Sequence, residues 1–161
     1  MKYKPLVPEV VAIHCAATPP TLDIGAEDIR RWHREKGWFD IGYHFVIRRD
    51  GTVENGRDIK RPGAHARGHN HNSVGICLAG GVDADKKPDN NFTQEQFKSL
   101  EDLLMKLVSA YDIHTVIGHR DFPNVKKVCP SFDVTAWLSE TGDVRQTLAQ
   151  IIYQNSLHYE D

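Results

Sequence analysis

The stretch VVAIHC, residues 10–15, decides how the rest of the chain is read. It is short, apolar and rich in β-branched residues, with no turn former inside it, which is the pattern of a buried strand. Successive side chains on a strand point to opposite faces. His14 and Cys15 are therefore expected on opposite sides, Cys15 as a small core residue and His14 as a polar group shown at a strand end. Strand ends and the loops beside them are where layered α/β scaffolds display their chemistry.

Working outward, residues 18–25 form a polar loop, and a helix follows over residues 26–36, acidic at its start and basic at its end as the helix dipole favours. Ile29, Trp32 and His33 share one face of it. Residues 43–49 alternate, which puts Tyr43, Phe45 and Ile47 on one side and His44, Val46 and Arg48 on the other. Asp50-Gly51 is a hairpin turn into Thr52-Val53-Glu54. A long irregular segment, 57–72, leads to a second buried strand at 73–78 that is closed by Gly80-Gly81, and a solvated loop spans 83–91. The clearest helix covers 94–110: Thr93 and Gln96 make a capping box, and Phe92 with Phe97 a hydrophobic staple. Leu100, Leu103, Leu104, Leu107 and Val108 recur along one face at helical spacing. Residues 115–117 make a strand ending at Gly118-His119, Asp133 caps a short helix through 138, and a last amphipathic helix runs from Asp143 to about Tyr153. Strands alternating with helices predict an α/β fold, a central mixed sheet flanked by helices.

The length of 161 residues fits one domain that buries roughly 70% of its unfolded surface. Net charge is -2, mildly basic in the first half and acidic in the second, so the strongly basic face of a nucleic-acid binder is missing. No apolar run is long enough to span a bilayer. The stretch MKYKPLVPEVVAIH lacks an uninterrupted apolar core and a small-residue cleavage site, so no export signal is expected and the chain is assigned to the cytoplasm. Three cysteines, Cys15, Cys77 and Cys129, are an odd set for a disulfide framework and favour a metal or catalytic use of one.

The segment IGHRDFPNVKKVCPSFD, residues 117–133, carries a histidine, two adjacent lysines and a cysteine. A histidine and a thiolate at the edges of one loop can hold two corners of a tetrahedral zinc site, and His14 is the best third ligand. Taken singly, each residue has a plainer reading. A lone histidine is usually packed or exposed, a lone cysteine is core, Tyr43 is a strand aromatic, and Lys126 with Lys127 is a solvated pair. His44 reads as packing. His65, His69 and His71 lack the spacing of a metal cluster and suit a groove lining. Asp121 reads as a carboxylate that either supports a metal ligand from behind or orders its loop.

Four segments together resemble the zinc-dependent N-acetylmuramoyl-L-alanine amidases. They are VAIHCAAT (11–18), IRRWHREKGWFDIGYHFVIRRDGTVENGRD (29–58), GAHARGHNHNSVGICLAGG (63–81) and KKVCPSFD (126–133). The likeness is greatest to the small phage lysozymes of the T-seven type, which share their fold with peptidoglycan recognition proteins. It covers about residues 10–138, leaving 139–161 as a C-terminal helical extension. The resemblance implies one zinc per chain on His14, His119 and Cys129, a catalytic Tyr43 in the GYHF motif, and a catalytic lysine at Lys127. The stretch before Cys129 is slightly longer than in the family, which keeps Lys126 as the other choice. His65, Arg67 and Asn70 become candidate contacts to glycan or stem peptide. The implied reaction is hydrolysis of the amide between muramic acid and L-alanine, with Lys127 offsetting the weaker Lewis acidity of a zinc bound to a thiolate. A monomer is expected, held in the host cytoplasm until lysis and then acting on the wall. Two other roles stay open: a peptidoglycan-binding module without catalysis, and the phage RNA polymerase inhibition known of some relatives.

Overall fold

The computed structural model describes residues 4–140 and 142–159. Five strands form one mixed sheet in the order β3-β2-β4-β1-β5, where β1 is Val10–Cys15, β2 Phe45–Ile47, β3 Val53–Asn55, β4 Ser73–Leu78 and β5 Thr115–Gly118. β2, β4, β1 and β5 run parallel, and only the short hairpin partner β3 is antiparallel. Four helices accompany the sheet: α1 Ala26–Glu35, α2 Gln94–Ala110, α3 Val134–Ser139 and α4 Asp143–Tyr159. None of the described helices is long and apolar enough to cross a membrane.

Parallel strands covered on both faces carry few polar side chains, and β1 and β4 are accordingly buried almost throughout. On one face Val11, Ile13, Val74, Ile76 and Leu78 meet Leu100, Leu104 and Leu107 of α2 in the main core. α2 starts where the sequence placed it. Thr93 Oγ1 accepts from the Gln96 N–H and Gln96 Oε1 accepts from the Thr93 N–H, each at 3.0 Å, and the Phe92 and Phe97 rings meet at 6.0 Å. Gln96 is fully buried, and its Nε2 also donates to the carbonyls of Ile47 and Ala79, which latches the start of α2 onto the ends of two strands.

α4 joins the same core through Leu148, which is completely buried. Asn155 Nδ2 donates to the carbonyls of Val108 and Ile113 at 3.1 and 2.8 Å, so α4 supplies a partner for a carbonyl that the end of α2 leaves open. The helix continues to Tyr159, past the end near Tyr153 that amphipathic spacing predicts. Asn155 accounts for part of that extra length, because a polar side chain with a tertiary partner carries no hydrophobic signal.

The alternation expected over 43–49 fails at its beginning. The strand starts only at Phe45, and Tyr43 lies in an irregular lead-in. Tyr43 packs with Val46, Ile41 and Ile29 on the α1 side, whereas Phe45 and Ile47 join the α2 side. Period-two reasoning holds only where the backbone is extended, so one irregular residue is enough to swap the face.

Candidate functional site

Parallel pairing of β1 with β5 is what brings the two predicted histidines together. The register sets Ile13 opposite Gly118, so the next residues, His14 and His119, leave the sheet side by side. Their ring centroids are 4.5 Å apart. His119 opens a single 3-10 turn, His119–Asp121, in which Asp121 Oδ2 accepts the Gly118 N–H at 2.9 Å, the second of the two roles read from the sequence.

The following loop returns Cys129 to the same place. The Arg120 N–H donates to the Cys129 carbonyl at 2.9 Å, and the Cys15 N–H donates to Cys129 Sγ at 3.2 Å. Gly118 permits the approach: a Cβ there would lie 2.8 Å from Pro130 Cδ. One donor atom each from His14, His119 and Cys129 then lie within 4.8 Å of one another. Ligands of a tetrahedral zinc with two nitrogens and one sulfur stand about 3.3–3.8 Å apart, so small rotations would close this group onto the ion. The donor set, two imidazoles and a thiol, is one that zinc accepts.

Electrostatics agree with that fit. Burial holds His14 well below the usual imidazole range, and burial with the nearby Lys127 lowers His119, so both rings are neutral bases. The adjoining Cys15 thiol and burial push the Cys129 thiol up. A cation amid these donors is what would favour its thiolate.

The donors sit in an open cavity of about 560 Å³. Lys127 lines it and Lys126 does not. Tyr43 is beside His14, with centroids 5.1 Å apart, and burial raises its phenol well above the usual value, so the hydroxyl keeps its proton. The three expected substrate contacts all border the cavity but differ in what they offer. Arg67 is exposed at the rim. Asn70 Oδ1 accepts the N–H groups of His65 and Ala66, shaping the loop from within. His65 is buried, with Nδ1 at 2.9 Å from His14 Nε2 and Nε2 at 3.2 Å from the Ser73 carbonyl, so its ring nitrogens face protein groups instead of solvent. His44 is structural, as expected: Nδ1 accepts the Gly75 N–H and Nε2 donates to the Arg61 carbonyl.

Other cavity residues escaped the sequence reading. Trp38 and Lys36 reach it from the end of α1, and the two bracket Gly37, whose φ of 96° turns the chain sharply there. His33, read only as sharing a helix face with Ile29 and Trp32, lies between the tilted rings of Trp38 and Tyr43 and accepts the Gly42 N–H at 2.9 Å. A Trp and a Gly just past a helix end were the available signal. Cys15 is buried as expected, yet it also borders the cavity and touches Cys129. Among the described residues, Lys36, Arg67 and Lys127 are the lysines and arginines of the lining, which includes no carboxylate.

The sequence profile of the N-acetylmuramoyl-L-alanine amidase family matches residues 3–132. The endolysin of Enterobacteria phage T3 is 48% identical over 138 residues, covering 85% of this chain and 90% of its own. Among solved structures, the N-acetylmuramoyl-L-alanine amidase LysC from Clostridium intestinale superposes with a TM-score of 0.71 at 26% identity, over 92% of this chain and 94% of that one. Bumblebee peptidoglycan recognition protein SA follows at 0.70 and 27%, over 86% of each.

Proposed function

The chain belongs to the N-acetylmuramoyl-L-alanine amidase family and is an amidase acting on peptidoglycan, and from that premise we propose that it works with one zinc ion held by His14, His119 and Cys129. The observation that carries the proposal is the convergence of those three donors on a cavity also lined by Tyr43 and Lys127. When bound, the ion would polarise the scissile carbonyl and make a water nucleophilic near neutral pH.

The remaining roles fall to the protein's own groups. The Lys127 ammonium, which lines the same cavity, takes the role of stabilising the negative charge that develops on the carbonyl oxygen, and this matters more where a thiolate would already reduce the charge of the ion. The Tyr43 hydroxyl, protonated because it is buried, donates a hydrogen bond to the same oxygen or to the attacking water. Arg67 and Lys36 offer positive charge to the carboxylates of a stem peptide, and Trp38 offers an apolar face beside them. The bond cut is the amide between the lactyl group of muramic acid and the first L-alanine. A wall-binding module without catalysis would have no need of a thiol at the third position.

Digestion of purified cell walls separates the readings. New N-terminal alanine without new reducing ends is expected, together with about one zinc per chain by elemental analysis. A full-strength digestion by protein freed of zinc would remove the metal from the mechanism.

A further inference from the structure

Four polar contacts in line behind His14 fix where its proton sits. Ser73 Oγ donates to the His69 carbonyl at 2.6 Å, and a hydroxyl has one proton to give. Toward His65 Nε2, which lies 3.3 Å from Ser73 Oγ and 3.2 Å from the Ser73 carbonyl, both oxygens therefore act as acceptors. Nε2 of His65 must carry the hydrogen. In a neutral imidazole the other nitrogen is then a lone pair, and here it faces His14 Nε2 at 2.9 Å. The His14 Nε2 has to donate, which leaves its lone pair on Nδ1.

From this chain we infer that His65 is a positioning residue: it sets the tautomer and ring plane of His14 so that Nδ1 is the nitrogen offered to the metal. The inference rests on the zinc reading above and adds a residue to it. Metal-bound histidines in general hold their second nitrogen against an acceptor, most often a carboxylate or a carbonyl. Among the described residues no carboxylate borders this cavity, and a second imidazole takes that place.

The fold makes room for this ring specifically. A Cβ on Gly75 would lie 2.6 Å from His65 Cγ, and one on Gly63 would lie 2.7 Å from His65 Cδ2. Asn70 holds the backbone of His65 and Ala66 from the other side through Oδ1. The two imidazoles meet edge to face, with centroids 4.9 Å apart and planes at 90°. An edge-on ring directs a nitrogen at its neighbour, which is a hydrogen-bonding arrangement and not stacking.

The test begins with the unmodified protein, freed of metal. Long-range nitrogen–proton correlation spectra of its histidines should show both His14 and His65 protonated on Nε2, and a His14 protonated on Nδ1 overturns the inference without reference to zinc. Two variants then read metal affinity by competition with a chromophoric chelator. His65→Leu, which fills the space with no acceptor, should weaken zinc binding by about 10- to 100-fold. His65→Asn, whose Oδ1 can take the position of the lost nitrogen, should restore most of that affinity. Equal losses in both variants, or none in His65→Leu, would reduce His65 to a space-filling role. A parent protein that binds no zinc instead refutes the metal reading, while the spectra still decide the tautomer.

Discussion

β1 and β4 turn two unlike surfaces to their two sides. Toward α2 they present Val11, Ile13, Val74, Ile76 and Leu78, all bulky and all buried. On the other side they present Ala12, His14, Ser73, Gly75 and Cys77, which are small or polar. Both sides are inaccessible to water over most of their area, so burial alone does not distinguish them. Volume does. Against α2 the side chains of the strands fill the space themselves, and stability comes from that contact. On the site side the strands leave space, and imidazoles from other segments occupy it: His44 at Gly75 through a hydrogen bond, and His65 over Gly75, against both His44 and the His14 of β1. One side of β1 and β4 is therefore a packed core and the other a frame for buried bases.

That contrast can be broken most severely at Cys129. Cys129→Ser should lose zinc and abolish wall digestion, while the melting temperature of the metal-free protein stays near that of the parent; a variant that keeps full activity removes sulfur from the site. On the opposite side, Leu104→Ala deletes a completely buried side chain and should cost about 2–5 kcal/mol in urea unfolding, with kcat of the remaining folded enzyme unaltered. Lys127→Ala should hold its zinc and its stability but lower kcat by about 10²–10³, in the range for removing one oxyanion-stabilising group. Unchanged turnover there would transfer the role to another cation.

Acid should sharpen the contrast further. His65 is lowered to about 3 by burial, from the usual 6.5. Below pH 6.5 the unfolded chain takes up a proton at this residue that the folded chain refuses until about pH 3, so stability falls progressively across that window and is greatest above it. The melting temperature of His65→Leu should be less sensitive to pH between 6.5 and 4 than that of the parent. The smallest effect is expected away from the site altogether: Thr93→Ala removes one side of the capping box and should cost about 1 kcal/mol with no change in zinc content.

Much of the α2 side was legible from the order of residues, because its signals are local. The capping box at Thr93 and Gln96, the staple of Phe92 on Phe97 and the leucine spacing all act within a few positions, and each appears where it was read. The site side was legible in parts. His14 and His119 stand at strand ends, a position that strand patterns do reveal. Their adjacency depends on which strands pair, and nothing near either residue encodes that. Tyr43 was assigned to the wrong side because the strand begins two residues later. His65 lines the groove as read, but its hydrogen bonds were not legible because its partners, His14 and Ser73, come from two different strands. The extra turns of α4 were missed because Asn155 does its work on α2.

The register of β1 against β5 also has a consequence for timing. His14 is made before His119, and it acquires His119 as a neighbour only after β5 has been made and laid alongside β1. Contacts between such distant segments are slow to form, because a long stretch of chain must close first. A chain whose β5 has not yet emerged thus lacks the pair, and His14 stands without its neighbour until that strand docks.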